Sequence, residues 1–122
     1  MHEVSLAEGV IDVVERAAEG AHATVSEVRV AVGELSNVEI EALAFAFESV
    51  KKGTVANDAK LVIDRPEGRA WCMTCQKDVP YHRFGDACPI CGGYQVVVSG
   101  GRDMRVVDIK ATTPEDSDKA DS

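Results

Sequence analysis

The sequence predicts an α+β fold in which two helices lie on one face of a three-stranded sheet and a four-cysteine, zinc-ribbon-like module is inserted in the chain. Two segments carry apolar residues at helical spacing. Three shorter segments are rich in β-branched residues, which favour strands. One late segment is rich in Cys, Gly and Pro and follows neither period, so we expect it to form a separate module. With 122 residues, the chain suits one compact domain with an insertion.

The first helix is predicted over residues 5–21, SLAEGVIDVVERAAEGA. Ser5 and Glu8 form a capping box, so we expect the helix to begin at about Ser5 and to end near Gly20. The residues before Ser5 would then form a short segment that precedes the helix. The predicted apolar stripe comprises Leu6, Val10, Val13, Val14 and Ala17.

A strand over residues 26–32 and a second helix come next. Valines alternate with other residues in the strand, as expected for a half-buried sheet. The helix is expected to open at a second capping box, formed by Ser36 and Glu39. We assign Phe45 and Phe47 of this helix to the core.

Two further strands are predicted over residues 60–65 and 104–109, on either side of the cysteine-rich segment. Gly68 at the entrance of that segment, and Gly100 and Gly101 at its exit, are expected to act as hinges. The acidic C-terminal stretch lacks periodicity, so we expect it to be disordered. The predicted organisation is an α/β domain over residues 1–67 and 101–111, a module over residues 68–100 and a tail over residues 112–122.

Composition argues against several classes of protein. A net charge of −8 and a pI near 4.8 give the chain no general attraction to nucleic acid phosphates or anionic lipids. No apolar run is long enough to span a membrane, and the first residues lack the pattern of a signal peptide. We therefore expect a cytoplasmic protein. In that reducing compartment, four cysteines in two close pairs indicate metal ligands more than disulfides.

The four cysteines follow the pattern C-x2-C-x12-C-x2-C. Each pair fits a tight turn that points both sulfurs at one ion, and Gly92 and Gly93 permit the left-handed turn of the second pair. Zinc is the favoured ion, with iron in a rubredoxin-like site as the alternative. Four protein ligands leave no open coordination position, so the ion is expected to be structural. The predicted ligands are Cys72, Cys75, Cys88 and Cys91.

Two other interpretations of this segment stay open. A single C-x2-C pair is typical of thiol redox proteins, although such a site does not need a second pair. His82 lies between the two pairs, either as an alternative zinc ligand or as a surface or packing histidine. The second role is favoured because four cysteines are present.

The chain starts with Met-His-Glu, continues as an amphipathic helix and carries C-x2-C-x12-C-x2-C in its second half. In this combination it resembles the HypA/HybF family of nickel metallochaperones, which serve nickel–iron hydrogenase maturation. The resemblance covers residues 1–111. It implies a nickel site with His2 as the essential ligand, supplemented by the amine of Met1 and the backbone nitrogens of His2 and Glu3, and structural zinc on the four cysteines.

The chemistry of nickel is compatible with this implied site. Nickel(II) favours square-planar nitrogen coordination, and a free amine, adjacent amide nitrogens and an imidazole offer four nitrogens in one plane. The resemblance also implies two partners, a HypB-type GTPase and the hydrogenase large subunit, with urease served by some relatives. We expect the chain to be a monomer or a weak dimer.

A competing function is that of a zinc-ribbon module that binds nucleic acid or a transcription component. The basic residues of the cysteine-rich segment are scattered among acidic ones, and no basic stripe with interleaved aromatics is present. An enzyme is not expected, because the sequence has no GxxxxGK[ST] loop and no nucleophile–base pair that could be named.

Overall fold

A computed structural model describes residues 2–19 and 23–112 of the chain. The expectations for Met1, for a helix stop at Gly20 and for the tail beyond residue 112 lie outside the described residues. Within the described ranges, no helix is both long and apolar enough to cross a membrane. The elements are α1 (His2–Ala18), β1 (Thr24–Val32), α2 (Ile40–Val50), β2 (Lys60–Asp64), β3 (Arg69–Cys72), β4 (Lys77–Pro80), β5 (Val96–Gly100) and β6 (Met104–Thr112).

The strands form two three-stranded sheets, so the prediction of an α+β fold is confirmed. The strand order is β2-β1-β6 in the first sheet and β4-β3-β5 in the second. In the second sheet β3 is antiparallel to both neighbours, and Trp71 lies opposite Asp78 on one side and Val97 on the other. The sequence predicted the three strands of the first sheet, whereas the short strands of the second carried no clear signal.

The chain divides into two compact units. The first comprises the residues up to 30, residues 38–62 and the residues from 106 onward. The second comprises residues 31–37 and 63–105, and so includes the whole segment 68–100 that the sequence predicts as a module. It also contains residues 31–37, which we call the strap. The domain boundaries predicted from the sequence therefore stay a prediction.

In the first unit, α1 and α2 pack against each other. The alternation predicted for β1 is present up to Val30, because Val28 and Val30 are fully buried and Arg29 between them is not, whereas Ala31 and Val32 are both buried. Leu43 and Phe47 bury the inner face of α2, but Phe45 is 76% exposed, so its assignment to the core was wrong. The buried stripe of α1 is rotated from the predicted one and comprises Ala7, Val10, Ile11, Val14 and Ala18.

Neither helix begins at its predicted capping box. α1 begins at His2, before Ser5, and the acidic Glu3 in its first turn interacts favourably with the helix dipole. α2 begins at Ile40 and has no side-chain cap. Asn37 has a φ of 62°, a left-handed conformation that cannot continue a helix, so the segment before it is a turn.

In the second unit, three glycines lie where backbone segments meet. A Cβ at Gly33 would overlap the carbonyl oxygen of Gly101, and one at Gly101 would lie 2.6 Å from the Cα of Gly68. Gly101 also has a φ of 79°, which favours glycine. Gly68 and Gly101 thus serve close backbone packing. The hinge role that we expected from the sequence stays a prediction.

Candidate metal centre

The four cysteines of the second unit converge on one point. Cys72 ends β3, Cys75 follows in the turn to β4, and Cys88 and Cys91 lie in the loop before β5. Their sulfur atoms all lie within 4.8 Å of one another, with Cys72 3.7 Å from Cys91 and Cys75 3.9 Å from Cys88. Sulfurs about 2.3 Å from a tetrahedral zinc lie about 3.8 Å apart. This cluster fits a zinc-sized ion.

Both cysteine pairs are held by the same kind of turn. The N–H of Gln76 donates to the carbonyl of Cys72 over 2.8 Å, and the N–H of Gly92 donates to that of Cys88 over 2.9 Å. The two donor residues both have a left-handed backbone conformation, with φ of 53° at Gln76 and 73° at Gly92. The sequence pointed only to the glycines, because a glutamine with positive φ has no sequence signature. Gly93 is not left-handed, and its carbonyl instead accepts from the N–H of Cys88.

Backbone N–H groups stabilise the first sulfur of each pair. The N–H of Cys75 points at Cys72 Sγ over 3.4 Å, and the N–H of Ile90 points at Cys88 Sγ over 3.4 Å. Backbone hydrogen bonds from Cys91 and Ile90 lower the pKa of Cys88 to about 6. Burial and the neighbouring thiols raise the pKa of Cys75 to about 12. The raised pKa of Cys75 means that this thiol ionises at neutral pH only with a cation bound beside it.

The apolar core beneath the cluster is small and includes two of its sulfurs. It also contains a residue that the sequence did not reveal, Leu35 of the strap, which inserts among residues more than thirty positions away. The strap is fixed there by three backbone hydrogen bonds, in which the N–H groups of Gly33, Glu34 and Leu35 donate to the carbonyls of Asp103, Pro66 and Gly101. The core cluster comprises Leu35, Ala70, Cys72, Val79, Tyr81 and Cys88.

His82 is paired with a carboxylate and does not join the cysteines. Its Nδ1 lies 2.9 Å and 3.0 Å from the two carboxylate oxygens of Glu34, and Glu34 also accepts the N–H of Gly68 over 2.8 Å. The hydrogen bond with Glu34 raises the pKa of His82. The bonds from Gly68 and then His82 lower the pKa of Glu34. In the described part of the chain, the one group of metal-binding side chains is the set of four cysteines.

The N-terminal turn of α1 is connected to α2 through Glu3. Its carboxylate accepts a hydrogen bond from the N–H of Glu39, the residue that precedes α2, over 3.3 Å. The imidazole of His2 and all of Met1 lie outside the described residues, so the predicted nickel site stays a prediction.

Fold and site together define a small α+β metal-binding protein with a four-thiol module. The chain belongs to the HypA family, described as "Hydrogenase/urease nickel incorporation, metallochaperone, hypA", whose model matches residues 1–111. The resemblance noted in the sequence is thereby confirmed. Members of this family are metallochaperones for hydrogenase maturation and are not enzymes.

Individual relatives agree with this assignment. The chain is 47% identical over 111 residues to the hydrogenase maturation factor HypA of Albidiferax ferrireducens, covering 90% of this chain and 98% of the relative. It is also 47% identical over 111 residues to hydrogenase maturation factor HypA 2 of Bradyrhizobium diazoefficiens, with the same coverage. The solution structure of the nickel metallochaperone HypA from Helicobacter pylori has the same fold, with a TM-score of 0.66 at 24% identity, covering 91% of this chain and 97% of that one.

Proposed function

We propose that this chain binds Ni(II) at its N-terminus and delivers it, with a HypB-type GTPase, to the large subunit of an apo nickel–iron hydrogenase in the cytoplasm. The ligands would be the amine of Met1, the imidazole of His2 and the backbone nitrogens of His2 and Glu3. The observation that carries the proposal is the family match, which begins at residue 1 and so includes the Met-His-Glu start. Nickel is cargo here, and the chain has to bind it reversibly.

The start of α1 is compatible with this ligand set. The first four N–H groups of an α-helix have no acceptor within the helix, so a helix beginning at His2 does not by itself commit the amide nitrogen of His2 to a helical hydrogen bond. The carboxylate of Glu3 accepts from Glu39, which supports a positioning role for that side chain. Its negative charge also offsets the unfavourable effect of the positive helix end on a nearby cation.

We further propose that the four cysteines hold a structural zinc ion. The sulfur spacing of 3.7 Å and 3.9 Å supports tetrahedral thiolate coordination. Bound zinc supplies the positive charge that keeps the thiols ionised and joins β3 to the loop before β5. With four protein ligands there is no open position for chemistry at the metal.

Nickel titration of the full chain tests the nickel proposal. His2→Ala removes the imidazole but keeps a strong helix former at the first position of α1. We expect it to abolish stoichiometric nickel binding in calorimetry while zinc content and melting temperature stay unchanged. One extra residue before Met1 should do similar damage, because it converts the terminal amine into an amide.

The matched control is His82→Ala, which removes a histidine that is paired with Glu34. It should bind one nickel with wild-type affinity. A His2→Ala protein that still bound one nickel with unchanged affinity and a planar, nitrogen-rich spectrum would contradict the N-terminal assignment.

A further inference from the structure

We propose that Cys91 is the reactive thiolate of the metal centre, at which hydrogen peroxide opens the site by forming a disulfide with Cys72 and releasing the metal. The inference rests on the proposal that the four cysteines hold zinc. It assigns different chemical roles to four ligands that the sequence motif treats as equivalent.

Solvent exposure differs sharply among the four cysteine residues. Cys72 is 0% exposed and Cys88 is 2% exposed, so a peroxide molecule in solution does not reach them. Cys75 is partly buried, whereas Cys91 is exposed. The residue beside Cys91 adds to this access, because a Cβ at Gly93 would lie 3.5 Å from Cys91 Sγ. Any larger side chain there would cover the sulfur.

Backbone hydrogen bonds distinguish the first cysteine of each pair from the second. N–H groups donate to Cys72 Sγ and Cys88 Sγ, each over 3.4 Å, and such bonds withdraw charge from a thiolate and make it a poorer nucleophile. Among residues 2–19 and 23–112, no backbone N–H donates to Cys91 Sγ. Cys91 is therefore the most exposed of the four ligands, and its sulfur accepts no backbone N–H within the described ranges; both features favour reaction at this thiolate.

Cys72 is placed to complete the reaction. Its sulfur lies 3.7 Å from Cys91 Sγ, the shorter of the two close contacts between the cysteine pairs. It is buried at the end of β3, so it does not meet the oxidant itself, but it can attack a neighbouring oxidised sulfur. This division resembles the general pairing of an exposed reactive thiol with a resolving thiol.

The reaction balances with hydrogen peroxide as the two-electron oxidant. The Cys91 thiolate attacks one peroxide oxygen, the O–O bond breaks, hydroxide leaves and Cys91 becomes a sulfenic acid. The Cys72 thiolate then attacks the Cys91 sulfur, an S–S bond forms, the S–O bond breaks and a second hydroxide leaves. Two protons from solvent convert both hydroxides to water. The ion keeps only two protein thiolates, Cys75 and Cys88, and dissociates.

The test uses the zinc-loaded full chain, with one zinc per chain established by elemental analysis before oxidation. Hydrogen peroxide is added in increments, released zinc is followed with a chromogenic chelator, and disulfides are mapped by mass spectrometry of peptides. We expect zinc release to parallel a Cys72–Cys91 disulfide during the first equivalent. In a parallel sample, a maleimide should label Cys91 before any other cysteine.

Two variants that retain four ligands sharpen the result. Cys91→His should slow oxidative zinc release by about tenfold or more, because imidazole does not undergo the thiolate reaction. The matched Cys75→His should release zinc at close to the wild-type rate. If either variant fails to fold, maleimide labelling of the wild-type protein still shows which cysteine reacts first.

The outcomes separate this inference from the proposed function. First labelling or first oxidation at Cys75, or zinc release from Cys91→His as fast as from the wild type, would overturn the role of Cys91 while leaving zinc binding intact. A chain that contains no zinc as isolated would contradict the zinc assignment and, with it, this inference.

Discussion

At the residue scale, the second unit is held together by contacts between residues that lie far apart in the chain. The four sulfurs converge because C-x2-C spacing is a local constraint that the sequence states directly. Glu34 and His82 are 48 positions apart, and nothing in the sequence pairs one particular glutamate with one particular histidine. The role of Leu35 was hidden for the same reason, since a single apolar residue between polar ones shows no periodicity.

The pair of Glu34 and His82 predicts a pH dependence of stability. The pKa of His82 is raised, so its contribution is fully present below its ordinary value of 6.5 and is lost as pH rises through the folded-state pKa. The pKa of Glu34 is lowered, so its contribution is present above 4.5 and is lost as pH falls through the folded-state pKa. Both effects coexist in mildly acidic solution.

We therefore expect His82→Gln to reduce the free energy of unfolding most at about pH 5 to 6 and progressively less toward pH 8. Urea unfolding of the zinc-loaded protein at several pH values measures this. Lys77→Gln, which removes an exposed cation from the same unit, should show no such pH dependence. Equal destabilisation by His82→Gln at pH 5.5 and pH 8.5 would contradict an ionic contribution from the pair.

At the element scale, prediction from the sequence succeeded where the pattern is local and failed where tertiary contacts determine where a helix begins. The alternation in β1 correctly identified its buried face. Neither helix begins at its predicted capping box. Ser-x-x-Glu is a short motif, and tertiary contacts override its preference for a helix start. Glu3 is held by the N–H of Glu39, and the left-handed backbone of Asn37 cannot belong to a helix, so both helix starts differ from the predicted ones.

Zinc removal should affect the elements of the second unit selectively. Two of the six residues in its core cluster are cysteine ligands, so loss of the ion removes both the cross-link and part of the packing. We expect a chelator to abolish amide protection in β3 and β5 while α2 keeps its protection, as measured by hydrogen exchange and mass spectrometry. Readdition of zinc should restore the original pattern.

Undiminished protection around Cys72 and Cys88 in the metal-free protein would show that the ion is not structural. Uniform loss of protection, in α2 as much as in β3, would show that the two units do not unfold separately.

At the scale of the whole molecule, the charge is unevenly distributed. The second unit contains six acidic and six basic residues over 31–37 and 63–105, so the net charge of −8 belongs entirely to the rest of the chain. A unit with no net charge has no general electrostatic attraction to nucleic acid, which argues against the competing zinc-ribbon function. The acidic excess lies instead in the unit that carries the Met-His-Glu start.

Part of this acidic excess lies in the C-terminal stretch, and a pair of truncations tests whether that stretch matters. The family match ends at residue 111, and β6 ends at Thr112, so we expect removal of residues 113–122 to leave melting temperature, zinc content and nickel binding unchanged. By contrast, the residues just before this point make hydrogen bonds to β1. The carbonyl of Thr112 accepts from Thr24 Oγ1 over 3.4 Å, and the carbonyl of Lys110 accepts from Ser26 Oγ over 3.2 Å.

Removal of residues 110–122 therefore takes away the end of β6 where it joins β1 and should lower the melting temperature by several degrees. Nickel titration of both truncated proteins would show whether any loss of binding follows the loss of fold. A large drop in melting temperature for the shorter truncation would show that the acidic stretch contributes to the folded structure. Equal stability of both truncated proteins would show that the end of β6 contributes little to the first sheet.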